Sequence, residues 1–173
     1  GEHGLRWYLF GAQAVIVHGR ARMTEDIDVT VFPDEGGAAS LVEVLVRAGF
    51  TPRFPFSDDF IQSTWVLPLE YQGVAVDVVL AASGLEELFY ARTTRVVIEG
   101  REIPVLSAED LVVTKILAGR PKDLEDAIGV LMAGSLDLAH VRSILGELEA
   151  GLDQSDLLPT LERLVAEAQR RGP

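Results

Sequence analysis

The spacing of apolar positions changes several times along this chain. Trp7-Tyr8-Leu9-Phe10 is a short aromatic and apolar run that stops at Gly11, the pattern of a buried strand. From Gly11 onward, Ala12, Val15, Ile16 and Gly19 recur at helical spacing, which predicts a short helix over Gly11 to His18. Asp26-Ile27-Asp28-Val29-Thr30-Val31 then alternates strictly, so it predicts a strand with Asp26, Asp28 and Thr30 on one face. Pro33 to Gly37 reads as a loop. Ala38 to Ala48 is amphipathic and ends at Gly49, as a helix with a C-terminal glycine does. Phe50 to Phe56 carries two prolines and reads as extended. Phe60 to Leu69 and Val74 to Leu80 read as two strands joined by a turn at Glu70-Tyr71-Gln72-Gly73, with Ala75, Asp77 and Val79 on one face of the second.

The second half is mostly helical in pattern. Ser83 is placed to cap a short helix from Gly84 to Ala91. Val96-Val97-Ile98 and Glu102-Ile103-Pro104-Val105 flank Glu99-Gly100-Arg101 as a hairpin does. Ser107 caps a helix that runs to Ala118, with Asp110 three residues on. Pro121 suits the first turn of a helix from Lys122 to Ala133. Two more helices fill 137–149 and 156–171. Their apolar stripes (Leu138, Val141, Leu145, Leu148, then Leu157, Leu161, Leu164) read as core within the chain, with packing on another chain as the alternative. Trp7 and Trp65 also read as core. The expected class is α/β (α+β), with a mixed, largely antiparallel sheet, flanking helices and a helical C-terminal part. With 173 residues, one domain is expected: a core over 1–106, and a helical part over 107–173 packed on it.

Composition narrows the chemistry. The chain is 48% hydrophobic and 24% charged, which excludes bulk disorder. It has no cysteine, which removes disulfides, thiolate zinc sites, iron–sulfur clusters and cysteine nucleophiles together and suits the cytoplasm. No apolar run approaches the ~20 residues of a membrane span, and no signal-peptide pattern opens the sequence. The net charge is −12 and no run of Lys or Arg exceeds two, so no extended nucleic-acid-binding surface is expected, although a transient nucleic-acid substrate stays compatible. A Gly-x-Ser-x-Gly elbow and a Gly-x-x-x-x-Gly-Lys phosphate loop are both missing, which disfavours serine-hydrolase and P-loop chemistry.

Three aspartates remain to be explained. Asp26 and Asp28 point the same way from a strand that otherwise reads as core, and Asp77 interrupts the apolar run Val74 to Val79. A charged aspartate left unpaired in such a run costs several kcal/mol. Either its face is solvated, or an arginine pairs with it, or a cation holds it. An Asp-x-Asp on one strand plus an aspartate on a second favours a shared divalent cation, because hard cations such as Mg²⁺ or Mn²⁺ prefer oxygen donors. Spacing i, i+2 sets two carboxylates side by side, and a neighbouring strand supplies the third. That is the layout of a two-metal phosphoryl- or nucleotidyl-transfer site. Gly11 lies between a strand and a helix, where backbone N–H groups can take a triphosphate; its other reading is a plain turn glycine.

Taken in chain order, Phe10-Gly11-Ala12-Gln13-Ala14, His18-Gly19-Arg20, Arg22-Met23-Thr24-Glu25-Asp26-Ile27-Asp28-Val29 and Val76-Asp77-Val78 resemble the DNA polymerase beta-like nucleotidyltransferase superfamily. The resemblance is to its minimal bacterial members, the AbiEii-like toxins and related uncharacterised nucleotidyltransferases. Lys115-Ile116-Leu117-Ala118 and Arg120-Pro121-Lys122-Asp123-Leu124-Glu125-Asp126 look like that family's lysine helix and the charged segment after it, so the resemblance covers about residues 7–131. It implies that Asp26, Asp28 and Asp77 are catalytic and ligate Mg²⁺ or Mn²⁺. It also implies that Gly11, Ala12, Arg22, Thr24 and Lys115 bind the nucleotide phosphates. His18, Arg20, Arg120, Lys122, Asp123 and Asp126 stand behind them as supporting residues.

The implied activity is metal-dependent transfer of a nucleoside monophosphate from an NTP to an acceptor hydroxyl on a small molecule, a tRNA or a protein. The toxin component of a toxin–antitoxin pair, with a cognate antitoxin as partner, is one form of it, and an antibiotic or other small-molecule nucleotidyltransferase is another. A catalytically degenerate partner-binding protein is the third alternative. It is prompted by Gly11-Ala12, where the family carries Gly-Gly or Gly-Ser.

Overall fold

The computed structural model describes residues 4–82 and 84–172. They divide into two compact units. One is built on the described residues up to Gln13 and on Met23–Leu106, and the other comprises Ala14–Arg22 and the chain from Ser107 onward.

The first unit is organised by a seven-stranded sheet of order β3-β4-β5-β2-β1-β7-β6. Strand β1 (Trp7–Phe10) pairs antiparallel with β2 (Asp26–Val31) and parallel with β7 (Arg101–Val105). Strand β2 in turn runs parallel to β5 (Val74–Leu80). Strands β3 (Thr51–Pro52), β4 (Val66–Tyr71) and β5 form an antiparallel series, and β6 (Thr94–Ile98) closes the other edge against β7. Four of the six pairings among the described residues are antiparallel, so the sheet is mixed and largely antiparallel, as the pattern predicts.

Strict alternation gives this sheet two faces. Val31 of β2, Leu67 and Leu69 of β4, and Val76, Val78 and Leu80 of β5 point into one core cluster. Leu41 of helix α2 (Gly37–Arg47) and Ile61 of helix α3 (Asp58–Thr64) complete it. Burying one such side chain contributes roughly 1.5–3 kcal/mol, which fixes the register and leaves the alternate positions, aspartates included, on the opposite face.

Helix α3 corrects the expectation of a strand from Phe60 to Leu69. Ser57 Oγ accepts from the Phe60 N–H at 3.3 Å, and Asp58 and Asp59 occupy the first turn, where carboxylates favour a helix N-terminus. The helix ends at Trp65, which takes a left-handed φ of 55°, and β4 starts at the next residue. Trp65 is 51% exposed and Trp7 is half-buried, so the reading of Trp65 as core is also corrected. The chain turns from β4 to β5 at Gln72-Gly73, both at positive φ, as a two-residue hairpin requires. Helix α4 (Leu85–Ala91) forms as expected, while its proposed cap Ser83 lies outside the described residues.

Helix α1 (Gly11–Val17) begins in the first unit and ends in the second. The second unit packs α5 (Ala108–Ala118), α6 (Pro121–Ala133), α7 (Leu138–Leu152) and α8 (Leu157–Arg171). The apolar stripes on α7 and α8 are core here: Val141, Leu145, Leu157, Leu161 and Leu164 are all buried. Ser107 caps α5 by accepting from the Asp110 N–H at 3.1 Å, and Pro121 opens α6. Among the described residues no helix is long and apolar enough to cross a membrane.

Candidate active site

Strand register builds the carboxylate cluster. Asp28 lies opposite Asp77 across the β2–β5 pairing, and Asp26 precedes Asp28 by two residues, on the same face. Carboxylate oxygens of Asp26, Asp28 and Asp77 all lie within 4.8 Å of one another, each residue half-buried. Adjacent strands are ~4.8 Å apart, so neighbours in direct register meet at this distance without distortion.

Each aspartate has a distinct setting. Thr24 Oγ1 donates to Asp26 Oδ1 at 2.6 Å. Gly11 has φ +63° and sits so close to Asp28 that a Cβ there would lie 1.9 Å from Asp28 Oδ2. Glycine is therefore required at 11, both for its backbone and to admit the Asp28 carboxylate. Ala12 is only 6% exposed, so its methyl belongs to the core. Asp77 is bonded by the guanidinium of Arg53, a residue that the sequence did not single out. An arginine partner was one reading of Asp77, and the register identifies it: Arg53 N donates to Pro68 O at 3.0 Å, and Pro68 lies opposite Asp77.

The other singled-out residues gather in the second unit as a buried charge network. Lys115 Nζ lies 2.7 Å from Asp123 Oδ1 and 3.1 Å from Asp126 Oδ2. Arg22 Nη1 reaches Asp126 Oδ2 at 2.5 Å, Arg20 Nη1 stands 3.6 Å from Asp126 Oδ1, and Arg120 bonds Asp123. Gly129 makes room for this: a Cβ there would sit 2.0 Å from Arg20 Cδ. Burial pulls the Asp123 carboxyl upward, but hydrogen bonds from Arg120 and Lys115 outweigh it and hold the group below the usual carboxylate range. Lys122 is exposed in the first turn of α6, and His18 follows α1 with its N–H donating to Ala14 O at 3.0 Å.

The three carboxylates are all hard oxygen donors, and the missing side chain at Gly11 gives Asp28 its place among them. Such a set suits Mg²⁺ or Mn²⁺ rather than a softer ion.

A mixed sheet carrying an Asp-x-Asp strand beside a parallel strand with a third aspartate defines a nucleotidyltransferase fold. Residues 3–157 match the family described as nucleotidyltransferase of unknown function (DUF6036), and the chain belongs to that family of enzymes. Solved structures share the fold. The antibiotic-resistance factor ANT(2'')-Ia, in its complex with adenylyl-2''-tobramycin, superposes with a TM-score of 0.58 at 17% identity, over 87% of this chain and 91% of that one. An antigenic nucleotidyltransferase-like protein from Paracoccidioides brasiliensis gives 0.55 at 19% identity, over 93% and 86%. The lincosamide antibiotic adenylyltransferase LnuA, with lincomycin bound, gives 0.53 at 14% identity, over 77% and 90%. No curated protein matches the chain in sequence.

Proposed function

We propose that this protein transfers a nucleoside monophosphate from an NTP to the hydroxyl of a small-molecule acceptor. A bond forms between the acceptor oxygen and the α-phosphorus, the α–β phosphoanhydride bond breaks, pyrophosphate leaves, and the hydroxyl proton is released. The observation that carries this reading is the convergence of Asp26, Asp28 and Asp77 on one sheet face. In it, these three residues hold Mg²⁺ or Mn²⁺, which when bound supplies charge neutralisation at the phosphates and acidifies the acceptor hydroxyl. Asp26 and Asp28, fixed side by side by strand pleat, hold the cation together with the triphosphate. Asp77, on the adjacent strand, faces the acceptor and takes its proton. Thr24 orients Asp26 through its 2.6 Å hydrogen bond. Gly11 and Ala12 offer backbone N–H groups to phosphate in this reading, and the buried Ala12 methyl leaves that role open.

Reactions of this kind need positioning and charge neutralisation more than a nucleophile. A small-molecule acceptor is preferred to tRNA because the chain carries a charge of −12 with no basic run longer than two. The fold shared with ANT(2'')-Ia and LnuA supports the same preference. A toxin role with a cognate antitoxin rests on the sequence resemblance alone, and a cytoplasmic location on the lack of cysteine. The test is incubation with each α-³²P-labelled NTP, Mg²⁺ or Mn²⁺, and a panel of aminoglycosides, lincosamides and bulk tRNA. Labelled small-molecule adduct from the wild type and none from Asp28→Asn is expected. Label on tRNA alone would reassign the acceptor. No pyrophosphate release with any NTP would favour the non-catalytic, partner-binding alternative.

A further inference from the structure

We propose that Arg53 is a positioning residue that competes with the cation for Asp77, and so sets how readily the third carboxylate joins the site. The inference rests on the carboxylate reading above. Its basis is a row of residues across three strands. Arg53 bonds Pro68 through its backbone N–H, Pro68 pairs with Asp77, and Asp77 pairs with Asp28. Paired residues in a sheet project to the same face, so Arg53 and Asp28 approach Asp77 from opposite sides. Pro68 shapes this approach. It has no N–H to return a bond to Arg53, so the β3–β4 ladder stops there and β3 is only two residues long.

Burial decides that the pair is exchangeable. The Arg53 and Asp77 side chains are 33% and 28% exposed, whereas those of Lys115 and Asp123 are 7% and 1% exposed. A half-solvated pair is worth about 1 kcal/mol or less, and a cation or a phosphate can displace it. A pair buried like Lys115–Asp123 costs several times that to open.

The experiment titrates Mn²⁺ alone into the full chain and reads the free ion by electron paramagnetic resonance. Arg53→Gln is expected to bind Mn²⁺ more tightly than wild type, by a factor of up to about fivefold, which is what ~1 kcal/mol of lost competition gives. Arg53→Lys, which keeps the charge, should stay near wild type. Arg53→Met, which keeps an unbranched apolar stem without the charge, should repeat the gain. Structural damage lowers affinity, so the sign separates the two causes. The gain should vanish in an Asp77→Asn background. Equal or weaker binding by both Arg53→Gln and Arg53→Met, or a gain that survives Asp77→Asn, overturns the role of Arg53 and leaves the carboxylate site standing. Failure of wild type and Arg53→Gln alike to bind Mn²⁺, or full binding by Asp28→Asn, overturns the carboxylate site and this inference with it.

Discussion

Asp28 and Asp77 face each other in direct register across two parallel strands, and nothing in strand geometry separates them. Two like charges at this spacing repel by about 1 kcal/mol in water and by several times that where solvent is partly excluded. Ile27, Val29, Val76 and Val78 on the opposite face supply the burial that holds the strands together regardless. The sheet is therefore stabilised by one face, while the other gathers like charges that the Arg53 guanidinium offsets at Asp77.

The first prediction follows from that opposition. Asp26→Asn/Asp28→Asn should melt higher than wild type in chelator-treated buffer, because two of the repelling charges are gone. Wild type should gain from millimolar Mn²⁺ plus an NTP, by about 2.7 kcal/mol at a hundredfold excess over Kd. At ~2–4 °C per kcal/mol that is a shift of several degrees, and the double variant should show none. Scanning calorimetry of both proteins in both buffers checks it. A wild type indifferent to every metal and NTP would contradict the expectation.

Gly11 gives a second one. An alanine there meets Asp28 Oδ2 at 1.9 Å and must hold φ near +63°. Backbone strain of this kind costs ~1–3 kcal/mol, and the clash forces the Asp28 carboxylate to move. Gly11→Ala should lose about 2–3 kcal/mol in urea denaturation and bind Mn²⁺ more weakly than wild type. Gly134→Ala, where a Cβ meets nothing within 4 Å, is the control and should change Mn²⁺ affinity little.

Strand period made the carboxylates legible. Alternation placed Asp26 and Asp28 on one face, and the apolar run around Asp77 marked it as a strand residue needing a partner. Their direct register could not be read, because register depends on which strands pair, and β2–β5 are joined only after a long excursion through α2, β3, α3 and β4. Arg53 was invisible for the same reason: it lies 24 residues from Asp77 and meets it through the pairing of β3 with β4. In the run Phe60 to Leu69 the apolar residues outweighed the capping signal Ser57-Asp58-Asp59, which is local and was decisive. The surroundings of Lys115 were equally hidden: it is buried against Asp123 and Asp126, which return to it from the next helix.

That burial supports a third prediction. Lys115→Met removes a cation whose side chain is only 7% exposed and which contacts two carboxylates. Breaking a buried pair from one side costs ~3–5 kcal/mol. Arg22 and Arg120 still touch Asp126 and Asp123, so a loss near the lower end is expected. Adding Asp123→Asn to Lys115→Met should cost less than the sum of the two single changes. A double-mutant cycle in urea measures that coupling, and strictly additive losses would count against the network.

The last prediction concerns acid. Asp123 titrates below its unfolded value of about 3.9 because the hydrogen bonds from Arg120 and Lys115 favour its charged form more than burial opposes it. A carboxylate with a depressed folded pKa binds fewer protons when folded than when unfolded. Its contribution to stability is therefore complete well above pH 4 and declines as pH falls through the unfolded value toward the folded one. Asp123→Asn removes this titration and also the ion pairs, so it should be less stable than wild type at pH 7. Between about pH 5 and pH 3, however, its stability should fall less steeply, and the two curves should converge as pH drops. Urea midpoints at pH 7, 5, 4 and 3 for the two proteins decide the matter. Parallel curves would mean that Asp123 carries no pH-linked stability and that other carboxylates set the acid limit.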